Sequence, residues 1–195
     1  MAVTPDPPLL LVGTDFRCSP IEIRERVALH GEETEHALVH LLARPGIGEA
    51  FLLSTCNRTE VYVQAREEDA AYRSVLDLIF LNRAPELEKP GRLYVKRSAE
   101  AARHLLAVAG GLESMVLGEP EILGQIKQSA ALAETVGASG PVLRRLLRSA
   151  LSAGARSRQE TSSSTTRRSA TSPCTSATAR WCTHRTPAPP WRSCR

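Results

Sequence analysis

Cys56 stands in "FLLSTCNRTEVYV", between two apolar runs, with Asn57 and Arg58 directly behind it. The thiolate is the nucleophilic form of cysteine. Its pKa falls beside a cation or where backbone N–H groups converge, so Arg58 in the same turn is a candidate activator. An exposed turn also gives a substrate access, and the chemistry on offer is nucleophilic catalysis. The alternative is an inert cysteine behaving as a small apolar residue, and the spacing alone leaves both readings open. His36 and His40 share a helical face at the four-residue spacing that two metal ligands need, yet no third ligand accompanies them. The five cysteines contain no C-x-x-C pair, so neither a metal site nor a disulfide framework is expected. Neither G-x-G-x-x-G nor G-x-x-x-x-G-K-[ST] occurs, which removes the dinucleotide fingerprint and the phosphate loop.

The elements that must position Cys56 are readable around it. Leu9 to Thr14 reads as a buried strand, and "CSPIE" follows with Ser19 as N-cap, Pro20 at the first helical position and Glu22 closing a capping box. Residues 33–43 place Ala37, Leu38, Leu41 and Leu42 on one helical face, ended by Pro45 and Gly46. Phe51 to Ser54 is a short apolar strand and Thr59 to Gln64 an alternating one, with "TCNR" as a hairpin-like link. A helix over 68–82, with Val75, Leu76, Leu78 and Ile79 inward, leads to a strand near Arg92 to Lys96. The order is βαββαβ, the ferredoxin-like split βαβ arrangement: an α+β fold with an antiparallel sheet and helices on one face. Helices alone then follow. Ser98 caps the first, Pro120 opens the second and Pro141 the third, whose Arg144, Arg145 and Arg148 lie opposite an apolar stripe and read as a solvated face.

The 195 residues are 42% hydrophobic, enough for a real core. No apolar run approaches the roughly 20 residues that cross a bilayer, and the N-terminus lacks the features of a signal peptide, so a cytoplasmic setting with no membrane partner is expected. The net charge of +4 is uneven: residues 161–195 hold six Arg and no acid, leaving −2 on the first 160. That tail has fifteen Ser or Thr and no Leu, Ile, Val, Met or Phe, so it is expected to be disordered. Its abrupt start after a helical pattern is also what a shifted reading frame would produce. The expected divisions are 1–97 for the ferredoxin-like part, 98–160 for the helical remainder and 161–195 for the tail.

"LLSTCNRTEVYV" and "GLESMVLGEPEILGQIK" (residues 111–127) resemble the two hallmark stretches of glutamyl-tRNA reductase, with "PIEIRERVAL" before them and "ARSRQET" after. The resemblance covers about residues 9–161. It implies reduction of the glutamyl group of glutamyl-tRNA to glutamate-1-semialdehyde with NADPH, in tetrapyrrole synthesis, through a thioester on Cys56. It also implies substrate contacts from Thr55, Asn57 and Arg58, the last pairing with a carboxylate, and from Ser114, Glu119, Pro120, Glu121 and Gln125. His104 falls at a family histidine suited to moving a proton or polarising the carbonyl; read without the family, it is a partly buried helix residue. Phe16 and Cys18 stand where the family commonly has a histidine and a small or hydroxyl residue, and Glu121 replaces a frequent Gln. The family continues into an NADPH-binding domain and a helical dimerisation domain, which this sequence lacks, so no cofactor residue is expected and the chain should be monomeric. Expected partners are glutamyl-tRNA and, from the family, glutamate-1-semialdehyde aminomutase. The alternative is a fragment that binds glutamyl-tRNA or hydrolyses the thioester without reduction.

Overall fold

A computed structural model describes residues 8–115 and 121–166. The apolar run near the N-terminus forms β1 (Leu9–Asp15), buried at every position. Two further strands, β2 (Ile47–Ser54) and β3 (Arg58–Ala65), pair with each other, and β4 (Tyr94–Arg97) closes the sheet in the order β2-β3-β1-β4. Every neighbouring pair is antiparallel. With α1 (Ile21–Val27), α2 (Glu32–Leu42) and α3 (Glu68–Val75) between the strands, this is the expected split βαβ order.

Both faces of the sheet are covered, where helices on one face were expected. The carbonyl of Val27, at the end of α1, meets Thr59 Oγ1 at 3.5 Å, while His104 of α4 (Ser98–Ala109) meets the Glu60 carboxylate from the opposite face. Adjacent strand residues point to opposite faces, so these two contacts put α1 and α4 on different sides. The helices α5 (Glu121–Thr135) and α6 (Pro141–Thr166) also pack on β2, and all contribute to one apolar core. This explains why the alternation of "TEVYVQ" does not mark a half-exposed strand: all of β3 is buried. Helix α6 runs across the composition break at residue 160 as far as Thr166; the tail beyond it lies outside the described residues.

Three local expectations are replaced by tertiary ones. Pro20, not Ser19, is the N-cap of α1, and no capping box forms. The Ser19 hydroxyl instead meets Thr14 Oγ1 at 2.9 Å and the Arg92 carbonyl at 3.3 Å, tying the loop after β1 to the approach to β4. Ser98 is the first residue of α4, at φ 45°, and caps nothing. The helix expected over 68–82 changes to π-helical turns at Leu76–Leu81. Those wider turns carry Phe80 inward beside Ile79 and leave Leu76 and Leu78 half-buried.

Two contacts seat α6. Its N-terminus is capped from β2: Glu49 accepts from the Val142 N–H at 3.1 Å and the Leu143 N–H at 2.7 Å. At its midpoint, Gly154 crosses α4 so closely that a β-carbon there would sit 2.4 Å from the Ala109 carbonyl oxygen. Glu49→Ala removes both acceptors from a buried helix start, and a loss of about 2 kcal/mol is expected. The check is urea unfolding, where the midpoint should fall without a change in slope; an unmoved midpoint would show that water replaces the carboxylate there.

Candidate active site

The link between β2 and β3 is held at every residue. Thr55 Oγ1 accepts from the N–H groups of Asn57 and Arg58, each at 3.2 Å, and the Thr55 N–H donates to the Arg58 carbonyl at 2.8 Å. The Asn57 carbonyl accepts from the Phe16 N–H at 3.0 Å, and the Cys56 carbonyl from Arg24 Nε at 3.3 Å. Arg24 is itself braced, Nη1 donating to the Ser19 carbonyl at 2.8 Å. Cys56 is therefore an exposed thiol on a fixed backbone. It opens onto a cavity of about 220 Å3 walled chiefly by α1 and His30.

Beneath the turn lies a buried polar network built on the two-residue period of β3, which puts Arg58, Glu60 and Tyr62 on one face. Glu60 Oε1 accepts from Arg58 Nη1 at 2.9 Å and from the Tyr94 hydroxyl at 2.6 Å, and it meets His104 Nε2 at 2.8 Å. Its Oε2 accepts from the Tyr62 hydroxyl at 2.7 Å. Gly13 makes room for this: a β-carbon there would lie 3.0 Å from both Glu60 Cγ and Tyr94 Cε2. Burial pushes the Glu60 carboxyl upward, but His104, Arg58 and Tyr94 outweigh it and bring the pKa to about 2. Glu60 is thus an ionised acceptor with no proton to give, so His104 donates its Nε2–H and Nδ1 is left as the ring's free position. Burial and the Glu60 charge raise both Tyr62 and Tyr94, keeping them as donors.

The network reaches the second hallmark stretch. Arg58 Nη2 donates to the Glu113 carbonyl, and the Glu113 carboxylate pairs with Arg17 Nη1 at 2.6 Å. Arg17 also binds Asp15 at 2.7 Å. Burial raises the Asp15 carboxyl, and the hydrogen bonds and charge of Arg17 more than reverse this, so its pKa is lowered.

Of the residues expected at the site, Thr55, Cys56, Asn57 and Arg58 share the turn, and His104 joins Arg58 through Glu60. Arg58 departs from expectation in its placement. The sequence reads it as a candidate activator of the Cys56 thiol; the side chain is 1% exposed, with both Nη atoms engaged beneath the turn. Ser114 is half-buried next to Glu113, Glu121 is exposed in the first turn of α5, and Gln125 is half-buried one turn later. Glu119 and Pro120 lie outside the described residues. Sequence reasoning missed Glu60, Tyr94, Glu113, Arg17 and Arg24. The spacing of Arg58 and Glu60 on one strand face was a usable signal; nothing local announced the others.

The profile described as glutamyl-tRNAGlu reductase, N-terminal domain, matches residues 12–161. The chain belongs to the glutamyl-tRNA reductase family. It is 43% identical over 159 residues to glutamyl-tRNA reductase 2 of Anaeromyxobacter dehalogenans, covering 82% of this chain and 34% of that one. It is 45% identical over 153 residues to a glutamyl-tRNA reductase of Xanthomonas oryzae pv. oryzae, covering 78% and 34%. The solved glutamyl-tRNA reductase from Methanopyrus kandleri superposes with a TM-score of 0.65 at 33% identity, again over 78% of this chain and 34% of that one. The chain thus spans about a third of the length of these glutamyl-tRNA reductases. Among the described residues, no helix is long and apolar enough to cross a membrane.

Proposed function

We propose that this chain is the part of a glutamyl-tRNA reductase that receives glutamyl-tRNA and takes the glutamyl group onto Cys56. The observation that carries the reading is an exposed cysteine at the tip of a turn whose neighbours are all tied down, beside a buried network ending in His104. The Cys56 thiolate attacks the ester carbonyl carbon, forming an S–C bond. The tetrahedral centre collapses with cleavage of the C–O bond to the ribose, and the ribose oxygen regains a proton. Splitting a hard acyl transfer in this way is the usual gain of a covalent intermediate. His104, fixed through Nε2, is the residue we assign to proton movement at Nδ1, accepting a proton there as the neutral ring or, once protonated there, donating to the carbonyl oxygen. Arg58, with the Glu113 carbonyl, shapes the polar wall toward which the glutamyl group is directed; Thr55 and Asn57 hold the turn, and Ser114 and Gln125 are the remaining described candidates for contact with substrate.

NADPH would supply the hydride that turns such a thioester into an aldehyde. The described residues do not fit it: the sheet is antiparallel throughout and offers no Gly-rich strand-to-helix turn at which a pyrophosphate would sit. Acylation is therefore the step assigned here, and reduction belongs to the whole reductase. The test is to incubate the full chain with glutamyl-tRNA labelled in its glutamate, quench in acid and map the label. A hydroxylamine-labile adduct on the Cys56 peptide is expected. Label on no cysteine, or on Cys18 alone, would refute the reading.

A further inference from the structure

The cavity at Cys56 lies on the opposite side of the sheet from the Glu60 network. Its wall is α1, and the end of α1 contacts the Thr59 face of β3. An acyl transfer needs both sides: the group transferred and the group that leaves depart from one carbonyl carbon in different directions. With the acyl group directed toward the Arg58 and His104 side, the cavity falls to the leaving group. We infer that this cavity seats the 3′-terminal nucleotide of the tRNA, with Ile21 and Arg24 as its recognition residues. This inference rests on the acyl-transfer reading above.

The lining suits that occupant. Ile21 is 51% exposed, an apolar surface in the cavity wall that no described residue covers fully, and it offers a face for a base to lie on. Arg24 spends Nε and Nη1 on two carbonyls, which fixes the guanidinium but leaves its charge in no ion pair among the described residues. A fixed guanidinium in no ion pair, beside an exposed aliphatic side chain, can take a nucleotide's phosphate on the cation and the face of its base on the apolar surface. Glu25 and His30 complete the rim, and the Glu25 carboxylate can accept from a ribose hydroxyl or an exocyclic amine. The volume of about 220 Å3 equals roughly seven waters of liquid, the scale of a base with part of its sugar and far below that of a duplex.

The test compares two donors on the full chain: glutamyl-tRNA, and the glutamyl thioester of N-acetylcysteamine, which carries no nucleotide. With the second donor the Cys56–carbon bond forms as the donor's S–C bond breaks, and the released thiol takes the proton. For Ile21→Ser and for Arg24→Ala, the ratio of the tRNA rate to the small-donor rate is expected to fall at least tenfold. Equal losses with both donors would overturn the inference, because they would make Arg24 a brace of the turn or a contact for the glutamyl group. An unchanged ratio in Ile21→Ser, which alters no hydrogen bond of the turn, would overturn it as well. If neither donor acylates the unmodified chain, the acyl-transfer reading itself fails and this inference with it.

Discussion

Cys56→Ser is expected to lower covalent capture of the glutamyl group by at least about 10^3-fold, on the scale seen when an enzyme loses its nucleophile. A serine hydroxyl at neutral pH needs a positioned base to become nucleophilic, and the turn supplies none: its hydrogen bonds are spent holding the backbone of Thr55, Cys56 and Asn57. The side chain at 56 is exposed and makes no hydrogen bond of its own, so stability should move by no more than about 0.5 kcal/mol. Affinity for glutamyl-tRNA should survive for the same reason. Quenched-flow labelling beside a binding titration separates these effects, and a serine variant that acquires label at the parent rate would remove the thiol from the mechanism.

Glu60→Ala is expected to be the most damaging single substitution in the described fold. It leaves the Arg58 guanidinium buried without its carboxylate and strips an acceptor from Tyr62, Tyr94 and His104 at once. Breaking one side of a buried pair costs about 3 to 5 kcal/mol, a large share of the roughly 5 to 15 kcal/mol that holds a domain together. Glu60→Gln keeps the shape and loses the charge, so it should fold with a smaller deficit and allow the pH dependence to be read. The Glu60 pKa is depressed from 4.5 to about 2, so its contribution is complete above pH 4.5 and is lost as pH falls toward 2. The difference corresponds to roughly 3 kcal/mol. Urea unfolding of both proteins at stepped pH should show the gap between them closing across that window. A Gln variant as acid-sensitive as its parent there would place the titrating group elsewhere.

Much of the architecture was legible because β1 and β2 each contain an unbroken apolar run, Leu9 to Val12 and Ala50 to Leu53, and α2 and α6 carry clear stripes. The errors share a physical cause. In β3 the polar residues alternate with apolar ones just as they would against water, but here they face a buried network, and alternation cannot tell the two apart. Ser19 satisfies every local rule for a cap, yet its hydroxyl has tertiary partners, one of them 73 residues away. The site divides in the same manner. Cys56 and its neighbours are consecutive and were readable from the turn, and His104 came from family likeness. Arg24 and Glu113 reach the turn from 32 and 55 residues away, and only the folded chain brings them together.

The two seats of α6 give the molecule a mechanical property. Glu49 grips the helix at its start and Gly154 presses it against Ala109 further along, so the first half of the rod is held between the sheet and the end of α4. From Gly154 to Thr166 the helix extends roughly 18 Å at 1.5 Å per residue. That stretch is a lever arm with its fulcrum at a glycine. A 10° change of tilt at Gly154 swings Thr166 by roughly 3 Å, so the size of one residue at the crossing sets the direction in which the helix runs out to Thr166.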